Sequence, residues 1–205
     1  LRQQLTERGA FKNAHRLGLL AFAGTTSLRL PLTTDHVAFR SKLDALRVGV
    51  VPKGGTAIAQ AIRSAVDLFA KSPQQATKVV LLCTDGEDHE GGPVDEAQAA
   101  LKEHGIHVFT IGVGDPKRTV GAEVPAGDGG VSKPLLHDGQ IVFSKLDVEG
   151  LRTIANAGGG DYASIEELNR VVDKIASMRT TELTTEERMR HQPQYQWFVA
   201  VALLL

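Results

Sequence analysis

The chain has little cysteine, few aromatic residues and no excess of charge of one sign. Cys83 is the only cysteine among 205 residues, and aromatic residues make up 5% of the sequence. A single cysteine excludes an internal disulfide framework and a zinc site built from several cysteines. Lys and Arg number 23 and Asp and Glu 24, which gives a formal net charge of −1. Because there is no basic excess, the composition does not favour nucleic-acid binding.

The remaining composition is that of a soluble globular protein. Hydrophobic residues make up 42% and charged residues 23% of the chain, so a sizeable core can form without disulfides or structural metal. The length suits one domain with a short appendage. Cys83 lies within an apolar run, and we interpret it as an inert core thiol.

Apolar runs alternate with amphipathic segments along most of the chain. Residues 17–23, 78–84 and 106–113 are predicted strands, and helices with one apolar face are predicted between and after them. Residues 25–32 follow the first strand after a tight turn, so the two should pair antiparallel. The alternation predicts a layered α/β fold with a mainly parallel central sheet.

Residues 115–146 interrupt this alternation and are rich in Gly, Pro and Asp. We predict an irregular insertion that carries a small β-hairpin. Its tight turn is assigned to Asp138-Gly139. The residues predicted to face each other across its ladder are Leu135 and Leu136 on one side and Ile141 and Phe143 on the other.

The C-terminal part is predicted to leave the domain. Residues 179–196 are polar and are interpreted as a stalk, and residues 197–205 are an unbroken apolar run. Nine residues are too few to cross a bilayer. The aromatic residues at the start of the run are typical of a membrane interface. We therefore predict the beginning of a transmembrane helix, with a buried terminal helix as the alternative.

Two segments place oxygen-bearing side chains at the expected carboxyl edge of the sheet. Thr56 follows Gly54-Gly55 and enters a helix, whereas Asp85 follows the strand at 78–84 directly. Ligands of open α/β sheets bind at this edge. A hydroxyl and a carboxylate are hard donors that suit Mg²⁺. Alternatively, Thr56 is only a helix cap and Asp85 only begins a turn.

Three strings of the chain resemble a known family. Gly54-Gly55-Thr56, the run Leu81-Leu82-Cys83-Thr84-Asp85-Gly86-Glu87-Asp88, and Val108-Phe109-Thr110-Ile111-Gly112-Val113-Gly114 resemble a von Willebrand factor A domain over residues 1–178. More narrowly, the chain resembles membrane-anchored bacterial Bat-type proteins of aerotolerance operons. This resemblance implies a Rossmann-like three-layer fold.

The resemblance also implies a metal-ion-dependent adhesion site. Thr56 matches its second element and Asp85 its third, but the first element, Asp-x-Ser-x-Ser, does not occur in the chain. We therefore expect the chain to begin after the first strand, and we expect an open or poorly filled gap between strands 17–23 and 78–84. The alternatives are that these two strands pair directly or that another segment fills the gap. Magnesium is then expected in the full-length protein and is doubtful in this fragment. The expected partner-binding rim comprises Gly54, Gly55, Gly86, Glu87, Asp88 and His89.

These features predict a membrane-anchored, metal-ion-dependent protein-binding module of a bacterial envelope complex, in which a partner carboxylate completes the Mg²⁺ coordination. The resemblance suggests a MoxR-type AAA+ ATPase and sister Bat-type proteins as partners. It also suggests an extracytoplasmic domain at the inner membrane. No nucleophile–base pair is visible, so an enzyme is not predicted. The alternatives are a Mg²⁺-dependent phosphohydrolase that uses Asp85 and a structural scaffold without metal.

Overall fold

The computed structural model of the chain describes residues 15–47, 50–51, 55–70, 77–88, 91–115, 122–123, 136–137, 140–141, 143–186 and 197–204. The ten strands within them are β1 (His15–Phe22), β2 (Thr26–Thr33), β3 (Lys78–Thr84), β4 (Ile106–Gly112), β5 (Ala122–Glu123), β6 (Leu136–His137), β7 (Gln140–Ile141), β8 (Phe143–Ser144), β9 (Gly159–Ser164) and β10 (Trp197–Leu204). The helices are α1 (His36–Asp44), α2 (Ile58–Phe69), α3 (Pro93–His104), α4 (Val148–Ala157) and α5 (Leu168–Glu186), with a 3₁₀ turn at Ile165–Glu167. Residues 1–14 lie outside the described residues.

A six-stranded sheet lies at the centre of the fold, in the order β2-β1-β10-β3-β4-β9. β1 and β2 pair antiparallel, and every other neighbouring pair is parallel. The predicted α/β fold with a mainly parallel sheet is therefore confirmed. The long apolar runs in β1, β3 and β4 are explained by this arrangement, because strands covered on both faces need no polar side.

Helices cover both faces of the sheet and give the fold three layers. On one face, α1 and α5 pack on side chains such as Leu19, Leu81 and Phe109. On the other face, α2, α3 and α4 pack on side chains such as Leu20 and Leu82. Successive strand residues thus enter opposite cores, as the alternation of side chains along a strand requires.

The insertion contains two short antiparallel ladders among its described residues. In one of them, Leu136 pairs with Ile141, and His137 pairs with Gln140. This register leaves two residues between the strands, and these two, Asp138 and Gly139, lie outside the described residues. Phe143 differs from the prediction, because it pairs with Glu123 in the second ladder.

The apolar C-terminal run forms β10, a strand, where the sequence analysis expected the start of a transmembrane helix. β10 pairs in parallel with both β1 and β3 and fills the position where an open gap was expected. The physical reason is that two buried strand edges would otherwise leave their backbone groups unpaired, at a cost of about 1–3 kcal/mol each. A continuous apolar run of this length suits a buried central strand.

The predicted stalk begins as a continuation of the last helix. α5 extends to Glu186, so residues 179–186 are helical, and residues 187–196 lie outside the described part of the chain. Within the part that the structure describes, no helix is both long enough and apolar enough to cross a membrane.

Candidate functional site at the carboxyl edge of the sheet

Thr56 and Asp85 both lie at the carboxyl edge of the sheet. Asp85 follows the last residue of β3. Thr56 precedes Ala57, whose backbone N–H donates to the carbonyl of Ala23, one residue beyond the end of β1, at 2.8 Å. β1 and β3 run in the same direction on either side of β10. The Thr56 loop, which contacts the end of β1, and the Asp85 loop, which follows β3, therefore lie at the same edge of the sheet.

The Asp88 carboxylate links the two loops directly. Its Oδ1 accepts from the backbone N–H of Ile58 at 3.1 Å, and its Oδ2 accepts from Gly91 at 2.6 Å. Ile58 is the first residue of α2, and the helix has no side-chain cap of its own. A carboxylate at a helix N-terminus satisfies a free N–H and complements the helix dipole. Asp88 therefore caps α2 from a loop 30 residues away.

Thr56 is not the cap of that helix. The N-cap position belongs to Ala57, which removes the first alternative interpretation of Thr56. The side chain is nearly buried, at 6% exposure, and its hydroxyl has no hydrogen-bond partner among the residues that the structure describes. A buried hydroxyl without a partner costs free energy, so this position favours a ligand for the hydroxyl.

Hydrogen bonds within the loop that follows β3 fix its shape. Asp85 Oδ1 accepts from the backbone N–H of Glu87 at 3.3 Å, and Gly86 N–H donates to Thr84 Oγ1 at 3.2 Å. Gly86 has φ +88°, and a Cβ there would come within 2.8 Å of Leu151 Cγ. Asp85 thus does begin a turn, as the second alternative interpretation held. The turn holds this carboxylate in a defined place at the sheet edge.

The predicted rim residues differ in what they contact. Glu87 Oε1 accepts from the backbone N–H of Lys145 at 2.9 Å, so both Glu87 and Asp88 hold distant backbone segments. Gly55 is exposed with φ +98° and lies close to Gly24. Gly54 and His89, the remaining predicted rim residues, lie outside the described residues.

Sequence reasoning missed the partners of these two carboxylates. Ile58 is 30 residues from Asp88, and Lys145 is 58 residues from Glu87, so no local spacing signals either contact. The sequence places Glu87 and Asp88 only at the expected partner-binding rim. In the structure, the two carboxylates hold their loop between α2 and the segment before α4.

The oxygen donors of Thr56 and Asp85 are of the kind that a hard cation prefers, but they supply only part of a ligand set. Thr56 and Asp85 offer a hydroxyl and a carboxylate, and Mg²⁺ is commonly held by one or two carboxylates with retained waters. Among the described residues, no group of three or more His, Cys, Asp and Glu side chains could hold a metal by itself. The chemistry of the two side chains is thus compatible with part of an oxygen ligand set, which water or a partner group would have to complete.

Among the described residues, Cys83, His104 and His107 do not add to this chemistry. Burial raises the pKa of the Cys83 thiol to about 12, so the group stays protonated at neutral pH. The ring Nδ1 of His107 lies 3.2 Å from the carbonyl oxygen of Gly159. His104 and His107 belong to no group of three or more potential metal ligands in the described part of the chain.

The three-layer fold and the oxygen donors at its carboxyl edge define a class of α/β binding domain. The family model of the von Willebrand factor type A domain matches residues 2–138, and the chain belongs to this family. This confirms the family that the sequence motifs suggested. Domains of this family are generally interaction modules and commonly bind a divalent metal.

Relatives and solved structures agree with this assignment. A UPF0353 protein from Nocardia farcinica is 30% identical over 190 residues, which cover 85% of this chain and 54% of the relative. A second UPF0353 protein, from Mycolicibacterium paratuberculosis, is 29% identical over 152 residues, which cover 70% of this chain and 42% of that protein. The chain thus spans about half the length of the curated relatives it matches.

Two solved structures from Bacteroides are similar in fold. BatB from Bacteroides thetaiotaomicron superposes with a TM-score of 0.75 at 27% identity, covering 89% of this chain and 86% of that one. An aerotolerance-related membrane protein from Bacteroides fragilis, carrying multiple mutations to serine, gives a TM-score of 0.70 at 26% identity, with 90% and 87% covered. The resemblance to Bat-type proteins is therefore confirmed.

Proposed function

We propose that this chain is a metal-ion-dependent protein-binding module of a membrane-associated bacterial envelope complex. In this proposal, Thr56 and Asp85 contribute to one Mg²⁺ site of the full-length protein, and a carboxylate of a partner protein completes the coordination of the ion. The observation that carries the proposal is the nearly buried Thr56 hydroxyl without a partner among the described residues, on a loop that Asp88 ties to the Asp85 loop.

The choice of a carboxylate follows from the chemistry of the ion. Mg²⁺ binds oxygen donors and keeps several exchangeable waters. A carboxylate is the hard ligand that a protein surface supplies most readily. When bound, the ion would supply a positive charge at the sheet edge, and Thr56 and Asp85 would fix its place. Glu87 and Asp88 would hold the surrounding backbone.

The membrane association and the partners rest on similarity. The Bacteroides fragilis neighbour is a membrane protein related to aerotolerance. We propose an extracytoplasmic location at the inner membrane, with sister Bat-type proteins and a MoxR-type ATPase as partners. Extraction of native membranes with alkaline carbonate tests the association: the full-length protein should stay in the pellet, and its clean release would contradict an integral anchor.

A binding experiment tests the metal-dependent interaction. The full-length protein is immobilised, and a purified sister Bat-type protein or MoxR-type ATPase from the same organism is passed over it in Mg²⁺ or in EDTA. We expect binding in Mg²⁺ only, and we expect Thr56→Ala and Asp85→Ala each to weaken it at least about tenfold, the loss of about 1.4 kcal/mol.

Asp67→Ala is the matched control, because it removes an exposed carboxylate from the far end of α2. It should bind like the unchanged chain. Equal binding in Mg²⁺ and EDTA, or equal losses in Asp67→Ala and Asp85→Ala, would contradict the proposal.

A further inference from the structure

The segment that leads from the insertion into α4 is joined to the Asp85 loop by two hydrogen bonds. The Lys145 N–H donates to Glu87 Oε1 at 2.9 Å, and the Asp147 N–H donates to the carbonyl oxygen of Asp85 at 2.8 Å. The two donors are two residues apart, and so are the two acceptors. Residues 145–147 therefore lie along the Asp85 loop and hold it at two points.

Leu146 anchors this segment between the two bonds. Its side chain is buried and packs with Leu151, Ala155 and Tyr162 in a small apolar cluster. Asp147 in turn caps α4, because its Oδ1 accepts from Gly150 N–H at 2.9 Å. The segment is thus fixed to the body of the domain, and Glu87 is fixed to the segment.

From this geometry we propose that Glu87 is a positioning residue for the metal site and does not itself contact the partner. By holding Lys145, its carboxylate keeps residues 145–147 against the loop, and Asp147 then fixes the peptide group of Asp85. Metal binding at Asp85 and anchoring of residues 145–147 are therefore coupled, and each strengthens the other by the same factor. This inference rests on the proposed metal site.

Two substitutions separate the effect of the Glu87 hydrogen bond from the effect of its negative charge. Glu87→Gln keeps a carbonyl oxygen that accepts from Lys145 but loses the negative charge, whereas Glu87→Ala loses both. Mg²⁺ affinity is measured by calorimetry at an ionic strength of about 0.15 M, where the Debye length is about 8 Å. We expect Glu87→Ala to weaken Mg²⁺ binding about fivefold or more, the lower end of typical coupling. Glu87→Gln should stay within about twofold of the unchanged chain.

Hydrogen exchange gives a second measurement, which compares the variants without metal. The amide of Asp147 should exchange faster in Glu87→Ala than in Glu87→Gln, whereas the amide of Phe109 in β4 should be unchanged in both. Added Mg²⁺ should slow the Asp147 amide of the unchanged chain. Global unfolding would raise the exchange rates of the Asp147 and Phe109 amides together. The comparison therefore stays valid if Glu87→Ala is less stable.

Glu103→Ala serves as the control, because it removes an exposed carboxylate from the end of α3. Equal losses in Glu87→Gln and Glu87→Ala would show that charge matters and would overturn the positioning role. Unchanged Mg²⁺ affinity in Glu87→Ala would overturn it as well, while leaving the metal site intact. Absence of Mg²⁺ binding by the unchanged chain would overturn both.

Discussion

Asp88 connects the beginning of α2 to the loop that carries Asp85. Its two carboxylate oxygens accept hydrogen bonds from the backbone N–H groups of Ile58 and Gly91, so one side chain binds two backbone segments. α2 has no side-chain cap of its own, so Asp88 takes that place. The negative charge of Asp88 also complements the helix dipole. The distance between the Thr56 and Asp85 loops therefore depends on this residue.

We predict that Asp88→Ala lowers the free energy of unfolding by about 0.5–2 kcal/mol, the usual cost of a lost N-cap. Asp88→Asn should recover most of this, because its amide oxygen can still accept from Ile58. Urea unfolding of the three proteins measures the difference. Equally small changes in unfolding free energy for Asp88→Ala and Asp88→Asn would mean that the carboxylate does not cap α2.

Local sequence predicts the two metal-site candidates but not the residues that hold them. Asp85 could be placed because an apolar strand runs directly into it, and Thr56 because two glycines and a helix flank it. The contacts of Asp88 and Glu87 form only when distant segments pack together. No periodicity in the sequence reports such contacts.

An ion pair joins β9 to α5 at the edge of the sheet. Asp161 Oδ2 lies 2.6 Å from Arg170 Nη1 and 3.5 Å from Lys174 Nζ. Partial burial alone would raise the pKa of Asp161, but the hydrogen bond from Arg170 and the charges of Lys174 and Arg170 outweigh it, so the pKa lies below its usual value. The charged form of Asp161 is therefore favoured in the folded state.

This shift predicts a pH dependence of stability. A lowered pKa in the folded state stabilises the fold above the unfolded pKa of about 3.9, and the effect is lost as the pH falls through the folded value. Arg170→Met should therefore destabilise the chain at pH 7, by about 0.2–1 kcal/mol for an exposed pair, and less at pH 3. Urea unfolding at both values measures this. Lys102→Met is the control, and an Arg170→Met effect independent of pH would contradict the pairing.

The central position of β10 gives a prediction for that element. Ala200 lies opposite Gly18 of β1 and Val80 of β3, so its N–H belongs to a ladder on one side. Ala200→Pro removes that donor and should lower the free energy of unfolding by at least about 1–3 kcal/mol. Ala200→Gly keeps the N–H and should cost less. Equal effects in urea unfolding would contradict the placement of the strand.

The C-terminal run shows what patterning can and cannot decide. Its lack of polar residues favours the start of a membrane helix, yet periodicity does not separate a short apolar strand from a buried helix. The runs in β3 and β4 were assigned correctly because turn residues bound them and helices alternate with them. The run at 197–205 lacks both signals, so only tertiary pairing defines it.

At the scale of the whole molecule, burial on both faces leaves the carboxyl edge of the sheet as the place for function. Apolar side chains of the strands enter one core or the other, and the loops at this edge carry the hydroxyl and carboxylate groups. Backbone N–H groups that donate to Ala23, Asp88, Glu87 and Asp85 hold these loops together. The central claim is that Thr56 and Asp85 share one divalent ion there.

Paramagnetic broadening by Mn²⁺, a hard cation that also prefers oxygen donors, tests this claim most directly. The account predicts that a Mn²⁺ titration selectively broadens the backbone amide signals of Thr56, Gly86 and Glu87 and leaves that of His104 sharp. It predicts that Mg²⁺ reverses the effect, and that Thr56→Ala and Asp85→Ala each weaken it. Broadening at Gly86 without Thr56, or broadening unchanged by Asp85→Ala, would contradict the shared site.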